Sequence, residues 1–104
     1  MEKVIRNAKV AVLVSGGFGA GWYSWNSSHK ELLFHPKLVA LVEAGKQSEI
    51  TEEWLEQELG LKDIYCGGAI DLDIEWLNEG TAFVVEEYDG SESLRTMDDL
   101  TLVA

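Results

Sequence analysis

The chain has 104 residues, 46% of them hydrophobic and including four Trp, three Tyr and three Phe, which suits one folded domain over residues 1–104 and not a disordered chain. Its formal charge of −11 is unevenly placed: six Lys/Arg stand against three Asp/Glu in residues 1–48, and two against sixteen in residues 49–104. Carboxylates repel phosphates, which argues against direct nucleic-acid binding through the second half, and no run approaches the ~18–20 apolar residues of a membrane span.

Residues 1–6 lack the apolar core of a secretion signal, so a cytoplasmic protein is expected. The single cysteine, Cys66, allows no internal disulfide, and no zinc-type spacing occurs, so stability has to come from packing and neither cofactor nor metal is expected.

Residues 8–15 are short, β-branched and apolar on both faces after Lys9, the pattern of a central strand covered on both sides. The strand stops at Gly16-Gly17-Phe18-Gly19-Ala20-Gly21, where four glycines in six residues permit positive φ and close backbone approach. Pro36 near a start and Gly45 beyond an end predict a helix over residues 36–44. A second follows Thr51, a hydroxyl cap ahead of Glu52 and Glu53, with Trp54 and Leu55 aimed inward and Gly60 as its stop.

Asp63-Ile64-Tyr65-Cys66 reads as a short strand ending at Gly67-Gly68. Ile70, Leu72, Ile74 and Trp76 then alternate with Asp71, Asp73 and Glu75, and the turn Asn78-Glu79-Gly80 leads into residues 81–88, which predicts an antiparallel hairpin over 70–88. Asp89-Gly90-Ser91 turns the chain again, and residues 100–103 read as a last strand. The expected class is α+β with an α/β-like start: a single mixed sheet built from a strand, two helices, then antiparallel strands. A return after about 40 residues of helix is usually a right-handed parallel crossover, which would bring both glycine clusters to the carboxyl end of that sheet.

This end is the leading candidate site. The glycine loop lacks the third glycine of a dinucleotide fingerprint, since Trp22 stands there, and lacks the GK[ST] of a P-loop. What remains is backbone N–H able to cradle an anion, with aromatic rings at Phe18, Trp22, Tyr23 and Trp25 either folding over the core or offering a stacking surface. The candidate ligand-binding residues are Gly16, Gly17, Phe18, Gly19, Gly21, Trp22, Trp25, Asn26, Gly67 and Gly68, with Trp22 or Trp25 exposed and Asn26 orienting the ligand.

The alternative is a protein-binding or nucleic-acid-mimicking surface that occludes a basic partner through Glu52, Glu53, Glu56, Asp71, Asp73 and Glu75. The period of two explains the last three as the wet face of a strand, and His29 and His35 match no helical metal pair. A third reading is a small enzyme using Cys66 and His35, though no GxSxG elbow accompanies Ser15. The segment Glu87-Tyr88-Asp89-Gly90-Ser91-Glu92-Ser93 is acidic turn chemistry whose Ser and Glu side chains can accept hydrogen bonds if it folds toward the glycines. An edge strand of the C-terminal hairpin can pair with a second copy, although no feature demands it.

Gly17-Phe18-Gly19-Ala20-Gly21-Trp22 after an apolar strand, Tyr65-Cys66-Gly67-Gly68, and Glu87-Tyr88-Asp89-Gly90-Ser91-Glu92 together resemble small accessory proteins of tailed bacteriophages. The resemblance implies a protein made in the host bacterial cytoplasm that binds a host factor or blunts host defence, and it brings no catalytic residues with it. The expectation is therefore a non-catalytic phage-type accessory protein, of anti-defence kind, binding a small anionic ligand such as a nucleotide at the glycine and tryptophan loop, or else a basic host protein.

Overall fold

The computed structural model describes residues 1–97, so the strand expected over residues 100–103 lies outside the described residues. The chain is α+β. Strands β1 (Ile5–Arg6) and β2 (Lys9–Ser15) are followed by a 3-10 turn at Tyr23–Trp25, the one-turn helix α1 (Glu31–Phe34), α2 (Pro36–Glu43) and α3 (Glu52–Leu59). After a 3-10 turn at Ala69–Asp71 come β3 (Leu72–Asn78), β4 (Phe83–Tyr88) and β5 (Ser91–Thr96). Among the described residues no helix is long and apolar enough to cross a membrane.

Local signals place the longer helices as expected. Pro36 opens α2, Thr51 caps α3 by accepting the Trp54 N–H at 3.1 Å, and Gly60 closes α3 in the left-handed conformation at φ 69°. Leu55 is fully buried and Trp54 packs beside it against the main core.

Strand β2 is central, and both of its faces are covered, as its two-sided apolar pattern requires. Ala11 and Leu13 face one core with Trp22, Leu32, Leu38, Leu55 and Leu72. Val10 and Val12 face a second, smaller one with Leu33, Phe34, Phe83, Val85 and Leu94.

The sheet arrangement differs from the expectation in three ways. Among the described residues there is no single mixed sheet: β1-β2-β3 form one antiparallel sheet and β4-β5 a separate antiparallel pair. The predicted hairpin between residues 70–76 and 81–88 does not form: β3 pairs along its whole length with β2, from Lys9↔Asn78 to Ser15↔Leu72, and β4 pairs with β5. The chain turns at 78–81, where Thr81 N–H donates to the Asn78 carbonyl, and leaves the plane of the first sheet so that Phe83 and Val85 cover Val10 and Val12. Had β4 stayed in plane beside β3, that second apolar face of β2 would lie open to water.

Residues 63–66 are not a strand, and the parallel crossover falls with them. Asp63 adopts φ 59°, which interrupts extended backbone. Both polar groups of the Tyr65 backbone are then held by one side chain: Asn26 Oδ1 accepts its N–H and Asn26 Nδ2 donates to its carbonyl, each at 3.0 Å. A side-chain amide thus occupies the place of a neighbouring strand. The pair β4-β5 closes through Asp89 and Gly90, both at positive φ (49° and 86°), the turn that suits the twist of a two-residue hairpin.

Candidate functional site

The carboxyl end of β2 gathers the loop of residues 16–21, the 3-10 turn at Tyr23–Trp25, residues 65–71 and the β4-β5 turn. Both glycine clusters meet here, by loop packing instead of a parallel sheet. A side chain at Gly68 would run into the backbone of Ala20 and Gly21, one at Gly90 into Ala20, and one at Gly17 into the Asp71 carboxylate. Gly19 N–H donates to the Asp89 carbonyl at 2.6 Å, Ser15 Oγ to the Gly68 carbonyl at 2.7 Å and Ser91 Oγ to the Gly16 carbonyl at 2.9 Å.

The loop does cradle an anion, and the anion belongs to the chain. Glu92 on β5 is buried, and its Oε1 accepts Ser15 N–H (3.0 Å) while its Oε2 accepts Trp22 N–H (2.8 Å), Ser24 N–H (2.9 Å) and Ser24 Oγ–H (2.6 Å). One carboxylate thereby satisfies four donors from Ser15, Trp22 and Ser24, which flank the loop, the arrangement expected where a buried charge lacks a cationic partner. Glu92 thus takes the N–H groups that flank residues 16–21, while within the loop the Gly19 N–H is taken by the Asp89 carbonyl. Sequence reasoning marked the acidic turn as able to fold toward the glycines but gave its acceptors to a ligand or partner; the position of Glu92 in a strand with a single apolar residue, Leu94, hid its burial.

Two further expected ligand residues have structural tasks. Trp22 is fully buried, with its indole N–H donating to the Leu32 carbonyl at 2.8 Å, so it forms part of the main core and no exposed stacking surface. Asn26 is committed to the backbone of Trp22 and Tyr65, which leaves its amide no free group to orient a ligand with.

Trp25 and Phe18 are the exposed aromatics of the loop. The Trp25 ring lies 5.2 Å from that of Tyr65, centroid to centroid, and its indole N–H donates to Glu87 Oε2 at 2.7 Å. Gly67 leaves room for the Tyr65 ring, and Ile70 and Tyr88 are also exposed on segments that meet here. Carboxylates lie among these segments: Glu87 on Trp25, Asp71 against Gly17, and Glu52 close enough for its charge to act on Cys66.

Of the acidic set singled out in the sequence, Glu52, Glu53, Glu56, Asp71, Asp73 and Glu75 are all exposed. Glu56 lies 3.7 Å from Lys62, an exposed pair of little energetic weight. Asp73 and Glu75 lie on β3 opposite Val14 and Val12, on the part of that sheet face which the β4-β5 pair leaves open. No three His, Cys, Asp or Glu converge to hold a metal among the described residues.

Cys66 and His35 do not meet in any hydrogen bond described. Burial, and secondarily the charge of Glu52, push the Cys66 thiol up, and its Sγ–H is directed at the Ile64 carbonyl (3.5 Å). His35 is the N-cap of α2: its Nδ1 accepts the Lys37 N–H at 3.1 Å, a role available only to the ring with that nitrogen unprotonated. Burial, then the charge of Lys37, lower its proton affinity below the ordinary value of 6.5, against smaller opposing effects of Glu2 and Glu31.

Between its folded value and 6.5 the unfolded chain binds more protons at His35 than the folded one, so stability falls as pH drops through this window and this group adds no further loss below it. His35→Asn, which caps without titrating, is expected to remove that part of the acid sensitivity. Urea midpoints of both proteins at about pH 7.5 and about pH 5 check it. An equal acid-induced shift in the two would show that the His35 cap does not titrate in this range.

No protein-family model, curated protein or solved structure matches the chain, so its geometry carries the functional reading.

Proposed function

We propose that this chain is a non-catalytic binding protein whose loop end docks on a basic partner protein, with Trp25 and Tyr65 as its anchors and Glu52, Asp71 and Glu87 as its acidic rim. The observation that carries this reading is the exposed Trp25–Tyr65 ring pair, tilted at 31°, with Trp25 held by Glu87 and the Tyr65 backbone by Asn26. Aromatic side chains fixed before contact lose little entropy on binding and dominate interface energetics. A carboxylate rim in a chain of charge −11 favours cationic surfaces and disfavours nucleic acid and anionic membranes. The likeness to phage accessory proteins makes a host protein the natural partner, in the bacterial cytoplasm.

The small-anion reading of the glycine loop is weaker on this geometry, since Trp22 is buried, Asn26 is committed to backbone, Glu92 already holds the N–H groups flanking the loop and the Asp89 carbonyl holds that of Gly19. The test is affinity capture from a bacterial lysate with the wild-type chain, Trp25→Ala, and the pair Asp71→Lys with Glu87→Lys. A basic protein retained by the wild type should be lost with Trp25→Ala, a penalty of at least about 2 kcal/mol or roughly thirtyfold in Kd, and its retention should weaken with salt. Identical capture by the wild type and Trp25→Ala, with both folded by circular dichroism, would sink the proposal.

A further inference from the structure

A second site lies away from the loop end, between α1 and β4. There a groove of about 520 Å³ is walled by Leu33 and Phe34 from α1 and by Phe83 and Val85 from β4, with Tyr23 beside them. A smaller cavity of about 180 Å³ shares Lys3, Phe34 and Phe83 with it and continues beneath the hairpin to Val10 and Val12. The groove exists because the second core is built from a single helical turn and one face of a two-stranded pair, too little side-chain volume to fill the layer.

Its electrostatics set it apart from the rest of the surface. Among the described residues no carboxylate lines either cavity, whereas Lys3 and Lys30 line the larger one. Four of the chain's eight cationic side chains, Arg6, Lys37, Lys62 and Arg95, are in ion pairs, but Lys3 and Lys30 are in none described. Lys3 Nζ instead sits 4.5 Å from the centre of the Phe34 ring, at the junction of the two cavities, and the nearby Glu31 carboxylate is directed at His29. Two ammonium groups at an apolar groove match an anion that carries a hydrophobic body.

We infer that this groove binds an amphiphilic carboxylate, its hydrocarbon part between α1 and β4 and its carboxylate at Lys3 and Lys30. A nucleotide fits the charge but not the walls, because among the described lining side chains the Tyr23 hydroxyl and the two ammonium groups alone are polar, too few to read a base and a ribose. A free fatty acid needs no such partners. This site is independent of the docking face proposed above and shares no residue with it.

The test is calorimetric titration of the whole chain with decanoate, with hexanoate and with decyltrimethylammonium. Decanoate should bind, hexanoate more weakly for its lost hydrocarbon contact, and the cationic amphiphile not measurably. Exchange of Lys3→Gln together with Lys30→Gln should weaken decanoate by about tenfold. Val84→Glu, at an exposed wall position, should weaken it at least as much by placing a carboxylate in the groove. The inference is overturned if decanoate fails to bind at millimolar concentration, if decyltrimethylammonium binds as well as decanoate, or if the double lysine variant binds decanoate unchanged. The lysines are exposed, so that variant folds and keeps the test decisive if Val84→Glu does not.

Discussion

Glu92→Ala is expected to lower stability by about 3 kcal/mol or more, because it strips the acceptor from three backbone N–H groups and a hydroxyl that water cannot fully reach. Against a total of about 5–15 kcal/mol for a domain, that loss shows as a large fall in the urea midpoint. The site left behind is an empty carboxylate nest, so formate should restore part of the lost stability, and more of it than chloride at equal ionic strength. Glu92→Gln keeps one oxygen but turns an NH2 group toward N–H donors, and should fall between wild type and alanine. A urea midpoint for Glu92→Ala within about 0.5 kcal/mol of wild type would mean the carboxylate does not hold the loop. The consequence for function is direct: Glu92 is what fixes the segments carrying Phe18 and Trp25, so its loss should also abolish partner capture.

Trp22→Ala is the second large effect, about 3–5 kcal/mol, for the removal of a fully buried ring from the main core. The Leu32 carbonyl loses its indole partner as well, so Trp22→Phe should recover much of the packing but not the whole stability. Urea unfolding and near-ultraviolet circular dichroism read both variants. This outcome separates a core residue from a ligand platform: a Trp22→Ala protein with wild-type stability and a selective loss of binding would restore the exposed-stacking role. Trp25→Ala, by contrast, removes a ring that is 42% exposed and should leave the fold intact.

The two tryptophans show where reading the chain alone reaches its limit. Both stand in one aromatic, glycine-rich stretch, and no local pattern distinguishes them; the 3-10 turn at Tyr23–Trp25 sends one into the core and leaves the other at the surface. That the glycine loops come together was legible, because glycines mark close backbone approach whatever the partner. Its occupant was not, because Glu92 lies 77 residues from Ser15 and is one acid among nineteen. The groove between α1 and β4 was also invisible, since its walls come from elements whose contact depends on β4 leaving the first sheet.

What the sequence by itself determined is local: the α+β content, the strand over residues 9–15 with two apolar faces, the helices started by Pro36 and Thr51 and stopped near Gly45 and Gly60, and the turn at Asp89-Gly90. These follow from φ preferences, caps and side-chain periodicity within a few residues. The tertiary structure alone decided which strands pair, that Asn26 replaces a strand beside Tyr65, and that Glu92 fills the nest. Those outcomes depend on covering both faces of β2 at once and on giving every buried donor an acceptor, conditions that distant parts of the chain satisfy only together.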